Sequence, residues 1–138
     1  MRTTLKPSAD RSRIMRSVRS KNTTPELIVR KFLHRKGLRF RLHRETLPGK
    51  PDIVLPRKKV AIFVQGCFWH GHSCKRGARV PATNRDYWLN KISANKRRDL
   101  SHQKALRILG WRVVLVWECE TRSDVCLEQF LAQVLRAH

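Results

Sequence analysis

Acidic residues are what this chain has least of. Ten Asp and Glu stand against thirty-one Lys and Arg in 138 residues, a formal net charge of +21. On a body this small that balance points to a polyanionic partner, with nucleic acid the first candidate. Long apolar runs are missing as well. No stretch of roughly eighteen apolar residues exists to span a bilayer, and the opening MRTTLKPSADRSR lacks the apolar segment of a secretion signal. An anionic membrane surface ranks below nucleic acid, because the basic residues are spread along the chain with no long apolar face beside them. The expectation is a cytoplasmic protein with no membrane partner. Cysteines number only four and form no Cys-x2-Cys knuckle. In a reducing compartment they read as metal ligands or core residues rather than as two disulfides. Internal repeats, linkers and low-complexity segments are also absent, so the chain reads as one domain, residues 23–138, behind a basic arm, residues 1–22. The arm is either a frayed terminus or a segment that orders on DNA.

What is present builds an α/β pattern. Thr23-Thr24-Pro25-Glu26 is a helix start, with a Thr cap, Pro in the first turn and Glu placed to favour the helix dipole. By spacing alone Glu26 is a capping residue. Leu27, Ile28, Phe32 and Leu33 form the expected buried face, and Gly37 ends the helix. Leu38-Arg39-Phe40-Arg41-Leu42-His43 alternates apolar in and basic out, as a strand with one wet face. Asp52-Ile53-Val54-Leu55 and Val60-Ala61-Ile62-Phe63-Val64 flank the turn Pro56-Arg57-Lys58-Lys59 and predict a buried hairpin. Residues 86–109 predict a long helix ended by Gly110. Its Trp88, Ile92, Asn95, Asp99, His102 or Gln103, and Leu106 fall on one face, apolar at both ends and polar in the middle. Residues 111–117 predict a central strand, and Ser123-Asp124 cap a last helix whose apolar face includes Cys126, Phe130 and Val134, with Leu131 a further candidate and Cys126 a packed core thiol. Helix, three strands, long helix, strand, helix implies a mixed sheet covered on both faces, a three-layer α/β/α sandwich. Ligands of such sheets gather near strand ends.

One stretch concentrates the chemistry. The second strand of the hairpin runs into Cys67-Phe68-Trp69-His70-Gly71-His72-Ser73-Cys74, two thiols and two imidazoles within eight residues. Cys67, His72 and Cys74 offer a Cys-x4-His-x-Cys cluster, and Cys119, just past the central strand, can supply a fourth ligand. That set makes a closed, structural Cys3His zinc site. His70 is then free, and an imidazole beside a carboxylate is a good general base near neutral pH. Phe68 and Trp69 either pack over the zinc site or act as apolar wedges that unstack bases. Asp52 is either a turn residue or a carboxylate held at the sheet edge for a cation. Asp99 faces inward and needs a partner, either a salt-bridging Arg or the site itself.

Pro51-Asp52, Phe63-Val64-Gln65-Gly66-Cys67-Phe68-Trp69-His70 with His72 and Cys74, Val80-Pro81-Ala82-Thr83, Trp88-Leu89-x-Lys91-Ile92, Asn95, Asp99, and Gly110-Trp111-Arg112-Val113 through Val116-Trp117-Glu118-Cys119 resemble the very short patch repair endonucleases. The resemblance covers residues 11–119. It implies a fold like type II restriction endonucleases, a structural zinc, and magnesium-dependent nicking of double-stranded DNA 5′ to the thymine of a T:G mismatch, the lesion left when 5-methylcytosine deaminates. It further implies that Asp52 binds magnesium with the backbone carbonyl of Val64, that His70 activates water with Asp99 orienting its ring, and that Glu26 lies near the scissile region. Phe68, Trp69 and Trp88 would enter the duplex beside the mismatch, with Asn95 and Gln65 among the DNA-contacting residues. Cys67, His72, Cys74 and Cys119 would hold zinc. The expected partner is mismatched double-stranded DNA bound by a monomer, with mismatch-repair proteins as candidate associates. The sequence departs from the family's pattern at Val64-Gln65, where the family often has Thr-His. Loss of the hydroxyl matters little if the carbonyl is the ligand, whereas loss of the imidazole points to altered activity or a shifted target. The alternatives are a catalytically inactive DNA-binding zinc protein of the same fold, or a nicking enzyme with a different DNA target.

Overall fold

The structure, a computed structural model, describes residues 23–74 and 77–136; the expected basic arm, residues 1–22, lies outside the described residues. Helix α1 (Thr24–Arg35) leads to strand β1 (Arg41–Leu42), then β2 (Ile53–Leu55) and β3 (Val60–Gln65). The long helix α2 (Arg85–Ile108) follows, then β4 (Arg112–Trp117), a short 3-10 turn (Glu118–Arg122) and α3 (Asp124–Leu135). The four strands form one mixed sheet in the order β1-β2-β3-β4. β1 and β3 run antiparallel to β2, whereas β3 and β4 are parallel, with Ile62 opposite Val114 and Gln65 opposite Trp117. A parallel pair needs a long crossover, and α2 provides it.

The strand sequences fix what each face buries. Side chains alternate across a strand, so Ile53, Leu55, Val60, Ile62, Val114 and Val116 share one face. Against them α1 lays Val29, Phe32 and Leu33, and α3 lays Leu127, Phe130 and Val134, all buried. Val54 and Ala61 belong to the opposite face, where they meet Leu106 of α2 together with Trp111. Each fully buried Leu or Ile in such a core is worth about 1.5–3 kcal/mol of transfer free energy. Arg112 ties β4 to the end of α3, its guanidinium donating to the carbonyls of Gln133 and Val134 at 2.9 and 2.8 Å. That satisfies two carbonyls which a helix C-terminus leaves without partners.

Several sequence expectations need correction. The strand expected over residues 38–43 shrinks to Arg41–Leu42, because only those residues pair with β2. Leu27 is exposed and Val29 takes its place in the core, because Val29, Phe32 and Leu33 lie three and four residues apart on one side of the helix. On α3 it is Leu127, not Cys126, that fills the core, and Cys126 is half-buried.

Candidate active site

At the open end of β2 and β3 three titratable groups converge. Asp52 precedes β2, and the Val64 N–H donates to its Oδ2 at 2.8 Å. Glu26 comes from the first turn of α1. Its N–H is capped by Thr23 Oγ1 at 3.3 Å, as the sequence suggests, but its side chain is not a surface cap. Three residues before Val29, it shares the buried face and is only 1% exposed. Its Oε2 sits 2.8 Å from His43 Nε2 and 3.5 Å from Arg30 Nη1. His43 escaped the sequence reading, which sent it outward on an alternating strand. The strand ends at Leu42, and His43 adopts a φ of 49°. Ligand atoms of Glu26, His43 and Asp52 lie within 4.8 Å of one another. Burial pushes the Asp52 carboxyl up to about 6; the Val64 N–H works against this, the neighbouring Glu26 adds to it, and His43 opposes it.

The loop after β3 is held against α2. Its turns close through His70 N–H to the Gly66 carbonyl at 3.2 Å and His72 N–H to the Cys67 carbonyl at 2.9 Å. Gly71, at φ 65°, lies so close to α2 that a Cβ there would come within 2.7 Å of Ile92 and 2.9 Å of Lys96. Two α2 residues one turn apart then grip consecutive loop residues. Asn95 Nδ2 donates to the Trp69 carbonyl at 2.8 Å, and Asp99 Oδ2 lies 2.6 Å from His70 Nδ1. The inward polar stripe of α2 is thereby explained, and the partner of Asp99 is an imidazole rather than an arginine. Phe68, Trp69 and Trp88 pack edge to face, with centroids 5.1 to 6.0 Å apart. Trp88 is almost wholly buried beneath the other two, which are half-buried.

Beside this lies the Cys/His cluster. Cys67, His72, Cys74 and Cys119 bring their ligand atoms within 4.8 Å of one another. Cys119 Sγ is 3.6 Å from His72 Nδ1, and the Cys119 and Gly77 N–H groups reach the sulfurs of Cys67 and Cys74 at 3.4 and 3.3 Å. The His72 ring stacks on Trp117, centroids 4.2 Å apart and planes 14° from parallel. Burial pushes the Cys67 thiol up to about 12 and raises Cys119, whereas the Gly77 N–H pulls Cys74 down to about 6. Three thiols and an imidazole packed this tightly, with backbone N–H groups aimed at two sulfurs, fit a tetrahedral zinc ion and leave no open position on it. Gly77 is required here, since a Cβ would strike the carbonyls of His72 and Cys67. Gln65 ends β3 and is buried, paired across from Trp117.

This geometry can be set beside known proteins. The family described as DNA mismatch endonuclease Vsr matches residues 4–76. A type II nicking enzyme of Xanthomonas oryzae pv. oryzae, V.XorIIP, is 52% identical over 122 residues, covering 88% of this chain and 89% of its own. The type II nicking enzyme V.NmeAIP of Neisseria meningitidis is 42% identical over 94% of this chain and 91% of its own. The DNA mismatch endonuclease Vsr of Escherichia coli is 43% identical over 83% of this chain and 73% of its own. A mixed α/β domain with these relatives is a DNA endonuclease by class. Within that class, the chain belongs to the Vsr family of DNA mismatch endonucleases.

Proposed function

We propose that this endonuclease nicks one strand of double-stranded DNA 5′ to the thymine of a T:G mismatch, opening the repair of deaminated 5-methylcytosine. The observation that carries the reading is the continuity of residues 68–70. A pair of half-buried aromatic rings is followed at once by an imidazole whose Nδ1 lies 2.6 Å from Asp99. Wedge and base therefore sit in one loop, both locked to α2. The fold is read as the three-layer α/β/α arrangement of type II restriction endonucleases, a reading supported by the two apolar clusters on opposite faces of the sheet.

Asp99 accepts the His70 Nδ1–H, so Nε2 carries the lone pair that takes a proton from the attacking water. Asp52 and the backbone carbonyl of Val64 would hold magnesium, which neutralises charge on the scissile phosphate and lowers the pKa of water. In an extended strand the N–H and C=O of one residue face the same neighbour. The Val64 N–H points at Asp52, so its carbonyl lies on that side too. Glu26 borders the scissile region. Phe68 and Trp69 unstack the duplex at the mismatch, and Trp88 backs them from beneath. Asn95 keeps the Trp69 carbonyl in place while it faces DNA, and Gln65 stands near the phosphate where the family resemblance implies an imidazole. Cys67, His72, Cys74 and Cys119 would hold a zinc ion, which would fix the loop to the end of β4.

Relatives named type II nicking enzymes favour a second reading, in which the chemistry is the same but the bases around the target differ. A panel of mismatched duplexes with varied flanks tests both. Strand-specific, magnesium-dependent nicking of T:G but not T:A duplexes, abolished by Asp52→Ala, is the expected result. Tight DNA binding without nicking under any divalent ion would overturn the enzymatic reading.

A further inference from the structure

Glu26 and His43 are built into the same place as Asp52. The His43 N–H donates to the Asp52 carbonyl at 2.9 Å, so the ladder that ends β1 and β2 sets the two residues across from each other. The left-handed φ of 49° at His43, uncommon for a residue with a side chain, turns its ring off the outer face of the strand and toward Glu26. Glu26, 1% exposed, cannot swing out to water. Asp52 is aimed by the Val64 N–H on its Oδ2. Two carboxylates this close repel each other, with the Arg30 and His43 side chains paired to Glu26, and a cation between the carboxylates relieves that repulsion. Adjacent ligands on a six-coordinate ion with bonds of about 2.1 Å lie about 3 Å apart and opposite ones about 4.2 Å. Glu26 Oε2 and His43 Nε2, 2.8 Å apart, have the spacing of adjacent ligands, and an Asp52 oxygen lies within 4.8 Å of both.

We propose that Glu26, His43 and Asp52 together form a two-carboxylate, one-imidazole site for a divalent first-row transition ion, and that the His43 nitrogen biases the site toward manganese over magnesium. The proposal rests on the assignment of Asp52 to the catalytic cation and adds two ligands to it. Carboxylates, carbonyls and water suit magnesium, whereas an imidazole donor favours transition ions.

Zinc-loaded protein without DNA is titrated with Mn2+, the free ion is followed by its paramagnetic resonance, and the bound ion is probed by pulsed resonance for coupling to nitrogen. One Mn2+ should bind with a nitrogen coupling, and Mg2+ should compete at least about tenfold more weakly. His43→Ala should abolish the coupling and shrink the manganese preference about tenfold, an effect of the size seen when a metal's supporting groups are lost. His70→Ala should leave the coupling in place. His43→Gln keeps a hydrogen-bonding side chain beside Glu26 and should give the same losses if the alanine variant does not fold. Bound Mn2+ with no nitrogen coupling in the wild type, or a coupling that survives both His43 variants, overturns the proposal. If Asp52→Ala still loses the ion in that case, the assignment of Asp52 stands; ion binding that survives Asp52→Ala overturns both.

Discussion

At the His70 ring, the Asp99 carboxylate 2.6 Å from Nδ1 fixes which nitrogen faces outward. His70→Ala should therefore cost roughly 10²–10⁴ in single-turnover nicking rate while leaving DNA affinity nearly intact. Asp99→Asn, which offers Nδ1 a weaker and uncharged acceptor, should lower the rate with unchanged affinity as well. Nicking at the wild-type rate in the His70 variant would assign the water-activating role to another group. Asp52 carries a pH signature of its own. Its carboxyl, pushed from 3.8 to about 6 by burial, keeps a proton in the folded chain that the unfolded chain has released. Between about pH 4 and pH 6 the folded state binds more protons, so the stability of protein without divalent ion should fall as pH rises through that window, by at most about 3 kcal/mol. Asp52→Asn should flatten this dependence. Urea midpoints measured across the window check it, and parallel slopes in both proteins would show that the carboxyl is not buried. The sequence singles out Asp52, His70 and Asp99 as candidates, through a strand-edge acid, a Cys/His-rich loop and a polar break in an apolar helical stripe. His43 is not among them, because period-two alternation sends it outward and nothing local announces a left-handed residue.

Helix α2 and the loop of residues 66–74 act as a pair. The helix contributes Trp88 beneath Phe68 and Trp69, Asn95 on the Trp69 carbonyl and Asp99 on His70, at the spacing of a single face. The other side of the loop is anchored by the Cys/His cluster, whose Cys119 sits in the turn after β4. Metal analysis should find one zinc per chain, and Cys119→Ala should lower thermal stability more than it alters chemistry in the molecules that stay folded. A folded, active sample without zinc would end that assignment. The four candidate ligands could be named from spacing, since two thiols and an imidazole in one loop are rare by chance. That Cys119 reaches them depends on parallel pairing of β3 with β4, which carries Gln65 and Trp117 to the same sheet end.

For the whole molecule, the net charge of +21 sets the physics of encounter. DNA affinity should fall steeply and log-linearly with salt, because each phosphate contact releases counterions. The first 50 residues hold fifteen Lys and Arg against three acids. Deleting residues 1–20 should therefore reduce the slope; an unchanged slope would mean that this segment makes no phosphate contacts. Among the described residues no helix is long and apolar enough to cross a membrane, as the lack of long apolar runs requires. The sequence by itself determined the charge, the hairpin, the long crossover helix and the Cys/His loop, since composition and periodicity are local properties that burial then enforces. Tertiary structure alone decided that the Glu26 side chain is buried, that His43 faces it and that Leu127 rather than Cys126 fills the core. Each of those outcomes depends on the phase of a helix or the last paired residue of a strand, and that is set by what packs across the sheet rather than by neighbours in the chain.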